Sequence, residues 1–239
     1  MSARANQRIV AIGDIHGRWD LLTELVGAID RQMLSLPTEP TRLVFLGDFI
    51  DRGASSDLVI AFLRDIDARY PATTILQGNH EATLLASARG DPHAQRLWID
   101  HGGLATLASF GVEPRREDED HFAFGSRIAD GVGVDTLDWI EGLPRFLHLA
   151  PFFLCHAGIR PGRPLKLQRE EDLLWVREPF LTDDRRHGAI VVHGHSISGE
   201  VEIRHNRLGL DTGAHKTGVL SAAILGRDEN WIVAVKAEA

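Results

Sequence analysis

The stretch that decides the fold is TTILQGNHEATLLASA, residues 73–88, in which an apolar run meets a helical pattern through Gly-Asn-His-Glu. The run TTILQ is typical of a short buried strand, and EATLLASA has the spacing of a helix. Asn79 and His80 are therefore predicted to lie at a strand-to-helix turn. A carboxamide and an imidazole are unusual side chains to follow an apolar run directly, and this pairing indicates a functional site.

The same strand–loop–helix unit occurs twice upstream of this stretch. The strand pattern RIVAIGD (8–14) precedes the helical pattern WDLLTELVGAIDRQM, in which apolar residues recur at helical spacing. The strand pattern LVFLGD (43–48) precedes the helical pattern SSDLVIAFLRDIDARY, with Ser55 or Ser56 as its N-cap and Pro71 just past its end. Together with TTILQ, these units predict a βαβαβ half with parallel strands and right-handed crossovers.

The second half of the chain has a different texture. Its short apolar runs, separated by turns, predict a meander and a second sheet: FFLCHA, AIVVHGH, RLGLDTG, LSAAILG and WIVAVK. Residues 97–144 are predicted to be helical or loop-rich, and the acidic run EDED, Glu117 to Asp120, to be a solvated loop. We therefore expect a mixed α/β (α+β) fold with two stacked mixed β-sheets flanked by helices, in one domain over residues 1–239.

Composition excludes several classes of protein. With 239 residues and 44% hydrophobic content, the chain can bury a full core within one domain. The net charge of −8 argues against nucleic-acid or anionic-membrane partners. No apolar run approaches the roughly 18 residues of a membrane span, and the run near the start, which ends at Gly13, is too short for a signal peptide. The single cysteine, Cys155, excludes an intramolecular disulfide. A cytoplasmic location is expected.

Polar side chains follow the predicted strands at the edge where α/β sheets bind ligands. The blocks GDIHG, GDFIDRG, GNHE, HAG and HGH supply Asp14, His16, Asp48, Asp51, Arg52, Asn79, His80, His156, His193 and His195. A lone Asp in such a place is usually a helix cap, and a lone buried His a satisfied polar group. Burying so many titratable groups together is costly unless metal ions compensate their charge. Mixed carboxylate, imidazole and carboxamide ligands suit manganese, iron or zinc, and an adjacent pair of ions is expected.

These five blocks, in this order, resemble the phosphoprotein phosphatase family of dinuclear metallophosphoesterases, from Gly13 to Ala214. The stretches GGLATLASFG, LLWVREPFL and LDTGAHKTGVLSAAIL resemble its bacterial serine/threonine phosphatase branch. The resemblance implies a calcineurin-like fold and two divalent metals, with manganese expected and iron or zinc as alternatives. It implies that one metal is held by Asp14, His16 and Asp48, and that Asp48 bridges to a second metal held by Asn79, His156 and His195.

The resemblance also implies roles for the remaining groups. A hydroxide bridging the metals would attack phosphorus in line, and Arg52 would bind two phosphoryl oxygens with Arg177 as a second clamp. A surface salt bridge is the alternative for Arg177. His80 would protonate the leaving alkoxide, and Asp51 would orient His80.

Three functional hypotheses follow. The favoured hypothesis is a phosphomonoesterase acting on phosphoserine or phosphothreonine in proteins, with phosphotyrosine or small phosphoesters as further substrates. The alternative is a symmetrical diadenosine tetraphosphate hydrolase, although members of that group usually depart from the Asp51–Arg52 pair kept here. The third is an inactive phosphoprotein-binding module. Loss of a predicted ligand or of His80 would support it, and none of these residues is missing.

In the block HGHSI, Ser196 and Ile197 stand where relatives often have threonine and proline, a departure that could alter the cleft wall.

Other residues attract attention without entering the predicted site. His193 is interpreted as a residue that either packs in the core or supports the ligands from behind, and Cys155, within the apolar run FFLC, as an inert buried thiol. The single LDTG stretch lacks the second carboxylate that an aspartic protease needs. His101, Asp211 and His215 could line the cleft, and no role is predicted for them.

Overall fold

The computed structural model describes residues 7–226 and 230–237. The strands in these ranges are β1 (Arg8–Ile12), β2 (Thr41–Phe45), β3 (Thr73–Ile75), β4 (Phe146–Leu149), β5 (Phe152–Cys155), β6 (Ile190–His193), β7 (Glu202–Ile203), β8 (Arg207–Gly209), β9 (Val219–Leu225) and β10 (Asn230–Lys236). The α-helices are α1 (Trp19–Leu34), α2 (Ser56–Arg69), α3 (Asn79–Ala88), α4 (Pro92–Trp98), α5 (Leu104–Ser109), α6 (His121–Val132), α7 (Val134–Glu141), α8 (Glu170–Trp175) and α9 (Ala214–Thr217). An irregular turn kinked at Gly102 spans Ile99–Gly103, and a 3-10 turn spans Leu165–Leu167. Residues 1–6, 227–229 and 238–239 of the predicted domain lie outside the described residues.

The first sheet has the strand order β10-β9-β1-β2-β3. Strands β1, β2 and β3 are parallel and are joined through α1 and α2, which confirms the predicted βαβαβ half. Helix α2 begins after Ser55, but the Ser55 side chain makes no capping hydrogen bond. The neighbouring Ser56 hydroxyl accepts a hydrogen bond from the backbone N–H of Asp51 instead.

The second sheet has the strand order β4-β5-β6-β8-β7. The expected meander is wrong in two respects, because β5, β6 and β8 run parallel and β9 and β10 pair antiparallel within the first sheet. Parallel pairing needs a crossover connection, and the long segment between Cys155 and Ile190, which contains α8, provides one. Short apolar runs resemble each other in either arrangement, so their sequence could not reveal the pairing.

Strand β1 explains how the layers are held together. Its alternate residues face opposite sides: Val10 and Ile12 pack among the helices, whereas Ile9 and Ala11 pack against the second sheet with Leu154. The two mixed sheets are therefore stacked, with helices outside, which confirms the predicted fold class. No helix within the described ranges is both long enough and apolar enough to cross a membrane.

Residues 97–144 are largely helical, as predicted, and they add Trp98 and Phe124 to the helical side of the core. The acidic run is mainly exposed, in agreement with a solvated loop. Two of its members have specific partners: Asp120 caps α6 by accepting from two backbone N–H groups, and Glu119 pairs with Arg127.

Candidate metal and phosphoester site

The loops that follow the strands carry a cluster of strained backbone positions. Among the described residues, every non-glycine residue with positive φ lies here: His16 (47°), Asp48 (49°), Asp51 (71°), Arg52 (68°) and His195 (63°). Such a conformation costs free energy for residues other than glycine and persists where surrounding structure enforces it, often at functional sites. All five belong to the residues predicted from the sequence.

Two glycines let these loops approach one another. A Cβ on Gly78 would lie 2.2 Å from Asp48 Oδ1, and a Cβ on Gly194 would lie 1.9 Å from Asp14 Oδ1. Both distances are impossible contacts, so any larger residue would push a predicted ligand out of place.

Asp48 lies at the centre of the site and is almost fully buried. Its Oδ1 lies 3.3 Å from His156 Nε2, and its Oδ2 lies 3.7 Å from His16 Nε2 and 3.8 Å from His80 Nε2. Two groups of side chains could each hold a metal ion, and they share this carboxylate: His16, Asp48 and His80, and Asp48, His156 and His195. Burial raises the pKa of Asp48, but His156 and His80 outweigh it and hold the pKa well below its usual value.

The surroundings of His156 fit a cation. Its Nδ1 lies 2.9 Å from the carbonyl oxygen of Leu46, which can only accept, so the ring donates there. In a neutral ring, Nε2 is then an acceptor, yet it faces Asn79 Oδ1 at 2.8 Å and Asp48 Oδ1 at 3.3 Å. Burial lowers the pKa of His156, but Asp48, Asp14 and Glu81 raise it to about 10. This environment demands a positive charge, either a proton or a metal ion.

Asp14 and His16 fit the same description. The buried Asp14 accepts the backbone N–H of His195 through Oδ2, at 2.9 Å, whereas its buried Oδ1 has no hydrogen-bond partner. Burial and the nearby Asp211 raise the pKa of Asp14 well above its usual value. The Nδ1 of His16 donates to the Ile50 carbonyl at 2.9 Å, which makes Nε2 the acceptor nitrogen that could bind a metal. An orphaned carboxylate oxygen and an unprotonated imidazole nitrogen are metal-binding donors.

Asn79 and His195 complete the set of predicted ligands. Asn79 Oδ1 lies 2.9 Å from His195 Nδ1, close to the His156 contact already described. Burial and the neighbouring His156 lower the pKa of His195 to about 3, which keeps its ring neutral and available as a ligand. The structure thus brings all six sequence-predicted ligands together, although Asp14 lies outside the two groups around Asp48.

The predicted Asp51–His80 pair is formed. His80 Nδ1 lies 2.6 Å from Asp51 Oδ2, and both side chains are buried. Burial lowers the pKa of His80, but Asp48 and Asp51 outweigh burial, so the pKa is raised. Sequence reasoning missed the residues that hold Asp51 from its other side, Trp98 and Thr106, which both donate to its carboxylate. Thr106 lies within the block GGLATLASFG, quoted above without a role, whereas Trp98 precedes that block and had no such signal.

Arg52 spans the open side of the site. One guanidinium nitrogen lies 2.9 Å from His16 Nε2, and the other terminal nitrogen lies 3.1 Å from His80 Nε2. Its backbone N–H donates to the Gly102 carbonyl, and its Nε–H donates to the His101 carbonyl. Arg52 therefore brings a cationic fork against the two histidines of the first group of candidate ligands, His16 and His80.

Glu81 is a third residue that sequence reasoning did not assign, after Trp98 and Thr106. The side chain is fully buried and accepts the backbone N–H groups of Asp48, Phe49 and Gly78 at 2.8–2.9 Å. Burial, with a further contribution from Asp48, raises its pKa to about 7. Glu81 thus joins the loop after β2 to the turn after β3, and its place three residues beyond Gly78 is the signal that could have revealed it.

A cavity of about 490 Å3 opens beside Asp48, His80 and His195, and Arg177 lies on its wall. The guanidinium of Arg177 donates to the His195 carbonyl at 3.4 Å. Among the described residues Arg177 forms no salt bridge with a carboxylate, so the alternative of a surface ion pair is not observed. Trp175 and Arg160 line the same cavity, and the Trp175 side chain is 41% exposed.

The residues set aside in the sequence take varied places. His193 packs edge-on against Phe180 with ring centroids 5.0 Å apart. Cys155 is fully buried, and burial raises the pKa of its thiol, as expected for an inert cysteine. His101 lines the cavity and His215 lies 4.9 Å from the His16 ring. Asp211 is close enough to Asp14 to raise its pKa.

Comparisons with known proteins agree with this geometry. The family model described as calcineurin-like phosphoesterase matches residues 7–217. The chain is 27% identical to a zinc-dependent endopolyphosphatase of Saccharomyces cerevisiae, over 91% of this chain and 75% of that protein. It is 28% identical to a symmetrical bis(5'-nucleosyl)-tetraphosphatase of Janthinobacterium, over 74% of this chain and 60% of that protein. This chain therefore spans less than two thirds of the second relative.

Solved structures give the same fold. A chain provisionally described as a diadenosine tetraphosphatase superposes with a TM-score of 0.69 and 22% identity, over 98% of this chain and 96% of that one. A cold-active protein-tyrosine phosphatase of Shewanella superposes with a TM-score of 0.58 and 14% identity, over 93% of this chain and 80% of that one. The names of these proteins cover several substrate classes, so the serine/threonine phosphatase branch expected from the sequence stays a prediction.

Proposed function

Because the chain belongs to the calcineurin-like phosphoesterase family, and is therefore a metal-dependent phosphoester hydrolase, we propose that its substrates are phosphoserine and phosphothreonine side chains of proteins. Small phosphate monoesters would be further substrates. The observation that carries this proposal is the buried contact of 2.6 Å between His80 Nδ1 and Asp51 Oδ2. We include in the proposal a single domain over residues 1–239 and a cytoplasmic location.

Six side chains would hold two divalent metals, manganese first among the candidates. Asp14, His16 and Asp48 would hold one ion. Asp48 would also contact the second ion, together with Asn79, His156 and His195. When bound, the metals supply a water molecule acidified enough to attack phosphorus near neutral pH, and they neutralise charge on the phosphoryl oxygens. The orphaned Asp14 Oδ1 and the facing acceptors His156 Nε2 and Asn79 Oδ1 support this assignment.

His80 would donate the proton that the leaving group needs. A serine or threonine alkoxide is strongly basic, so its departure is slow without a general acid. Asp51 holds Nδ1 of His80 and thereby turns Nε2 toward Asp48 and the cavity. A nucleotide phosphate leaves as a weak base and has much less need of a proton. The Asp51–His80 pair therefore favours phosphomonoesters of alcohols over dinucleoside polyphosphates.

Two arginines would bind the phosphoryl group. The Arg52 guanidinium already faces His16 and His80, where it could present two N–H groups to phosphoryl oxygens. Arg177 reaches the same cavity from the loop after α8. Fixed donors at these positions would stabilise the charge that develops during transfer.

The test compares two leaving groups in one variant. His80→Asn should lower turnover of a phosphoserine peptide by roughly 10²–10⁴-fold, and should lower turnover of p-nitrophenyl phosphate far less, because nitrophenolate leaves without protonation. His205→Asn is the control, since His205 is exposed and bonds only the Asp184 carbonyl among its described partners. Equal losses of turnover on the two substrates would show that His80 is not the general acid.

Symmetrical hydrolysis of dinucleoside tetraphosphates is the second candidate function. Trp175 presents an exposed indole on the cavity wall, and Arg160 lines the same cavity. An aromatic face and an arginine suit a nucleobase and a polyphosphate chain. The names of the Janthinobacterium relative and of the structure with the TM-score of 0.69 point the same way.

A further inference from the structure

We propose that Trp98 and Thr106 are positioning residues for proton transfer, acting through the Asp51 carboxylate. They lie at the two ends of residues 98–106, which we name the clamp segment. The inference rests on the proposed function, because it assumes that His80 is the general acid. It adds two residues, on a different part of the chain from the metal ligands, that determine how well the enzyme expels a poor leaving group.

The carboxylate of Asp51 receives donors from both ends of the clamp segment. Trp98 Nε1–H lies 2.9 Å from Oδ1 and 3.0 Å from Oδ2, and the Thr106 hydroxyl donates to Oδ1 at 2.6 Å. Oδ2 is also the oxygen that contacts His80 Nδ1. Asp51, Trp98 and Thr106 are at most 1% exposed, so water cannot replace a lost donor without entering the core.

Thr106 also holds the backbone of Asp51. Thr106 Oγ1 accepts the Asp51 N–H at 2.9 Å, and Ser56 Oγ accepts it at 3.1 Å. These bonds support a φ of 71° at Asp51, which a residue with a side chain rarely adopts. Both the position and the rotation of the carboxylate are therefore fixed from the side opposite His80.

A regular helix could not place Trp98 and Thr106 on one carboxylate. Residues eight positions apart in an α-helix are separated by about 12 Å along the axis and by about 80° around it. Here the irregular turn Ile99–Gly103 lies between α4 and α5, and it is kinked at Gly102, whose φ of 109° is not helical. The irregular turn is what brings the two donors together.

The clamp segment contacts Arg52 as well. The Gly102 carbonyl accepts the Arg52 backbone N–H at 3.1 Å, and a Cβ on Gly102 would lie 2.6 Å from Arg52 Cγ. One segment thus positions both members of the Asp51–Arg52 pair. Packing alone does not account for this arrangement, because a buried carboxylate with several side-chain donors is costlier to build than an apolar contact.

The experiment removes each donor while keeping the shape of its side chain. Trp98→Phe deletes the indole N–H, Thr106→Val deletes the hydroxyl, and Thr106→Ser restores it. The substrates are phenyl phosphate, with a poor leaving group, and 2,4-dinitrophenyl phosphate, with a good one. We expect kcat on phenyl phosphate to fall about ten- to a hundredfold in the two deletions, with KM and the dinitrophenyl rate nearly unchanged and Thr106→Ser close to wild type.

Matched controls separate this role from general destabilisation. Trp139 Nε1 also donates to a carboxylate, Asp67 Oδ2 at 3.0 Å, but on the outer helices, so Trp139→Phe should leave both rates unchanged. His80→Asn is measured in the same series. Suppose that His80→Asn shows the leaving-group dependence, whereas the clamp deletions lower the rates on both substrates equally or lower neither rate. The clamp role is then overturned, and the proposed function stands. If His80→Asn shows no leaving-group dependence, the acid role itself fails, and the clamp role with it.

A readout independent of turnover uses indole N–H resonances in the metal-free protein. Asp51→Asn should move the Trp98 indole signal, assigned from its loss in Trp98→Phe, while the Trp139 signal stays in place. An unmoved Trp98 signal would contradict the hydrogen bond on which the proposal depends.

Discussion

Asn79 Oδ1 lies 2.8 Å from His156 Nε2, although the Nδ1 of the same ring already donates to the Leu46 carbonyl. A neutral imidazole in this orientation would place two acceptors in contact, with the Asp48 carboxylate 3.3 Å away as a third. Positive charge between these atoms removes the conflict. This pair of residues therefore marks a place for positive charge, which a proton on His156 or a metal ion can supply.

Removing the carboxylate that the two groups of ligands share should affect both metals. Asp48→Asn leaves the size of the side chain unchanged but removes the charge that His16 and His156 face. We expect metal content, measured by elemental analysis, to fall from about two ions per chain toward zero. Asp67→Asn, at an exposed carboxylate that bonds Trp139, is the control. Retention of one full equivalent in Asp48→Asn would contradict a bridging role.

Arg177 should contribute to phosphate binding and not to metal binding. Its guanidinium reaches the cavity wall and contacts His195 only through the backbone carbonyl. Arg177→Ala should raise the inhibition constant for inorganic phosphate about tenfold, as expected for loss of one charge-assisted hydrogen bond, with metal content unchanged. Arg69→Ala, which removes an exposed arginine paired with Asp65, provides the comparison. Unaltered inhibition in Arg177→Ala would show that Arg177 does not bind the phosphoryl group.

The ion pair between Glu119 and Arg127 gives a pH-dependent contribution to stability. The hydrogen bond from Arg127 holds the pKa of Glu119 at about 2, below its usual 4.5. A carboxylate with a lowered pKa stabilises the fold above its unfolded-state pKa, and that stabilisation is lost as the pH falls through the folded-state value. The lower thermal midpoint of Glu119→Gln should therefore be visible at pH 7 and should converge with wild type as the pH falls from about 5 to 2.

Glu117→Gln is the matched control for that titration. Glu117 belongs to the same acidic run, is exposed and has no salt bridge among the described residues. Its midpoint should follow wild type throughout. A Glu119→Gln midpoint equal to wild type at pH 7 would mean that the pair with Arg127 is not formed in solution.

Cys155 should be chemically silent in the folded protein. The thiol is fully buried, its Sγ lies 3.3 Å from the Gly158 carbonyl, and burial raises its pKa. Thiolate formation is thus disfavoured and access is blocked. Ellman's reagent should label the native protein slowly and should release one equivalent of chromophore only after denaturation. Rapid labelling of the native protein would show that β5 opens at this point.

The site could be predicted further from the sequence than the fold could. Predicted ligands such as Asp48 and Asn79 stand directly after apolar runs, and strand ends converge in α/β sheets, so local patterns were enough to predict that these side chains lie close together. Local patterns do not reveal that β5, β6 and β8 run parallel to one another. Parallel and antiparallel strands bury similar apolar runs, and only the crossover between distant residues decides between them.

The residues that support the site escaped prediction for a related reason. Trp98 reads as a core aromatic residue on an amphipathic helix, and Thr106 as an ordinary helical threonine. Their contact with Asp51 depends on the kink at Gly102, which has no reliable local signature. Glu81, by contrast, occupies a position three residues into α3 where backbone N–H groups need acceptors.

The most direct test of the account is a side-by-side rate measurement on protein stripped with chelator and reloaded with manganese. A phosphoserine/phosphothreonine peptide and diadenosine tetraphosphate are supplied at matched concentrations, and phosphate release is compared with cleavage of the dinucleotide. The Asp51–His80 pair predicts faster hydrolysis of the peptide, and no hydrolysis of either substrate before reloading. Faster cleavage of diadenosine tetraphosphate would contradict the proposed substrate.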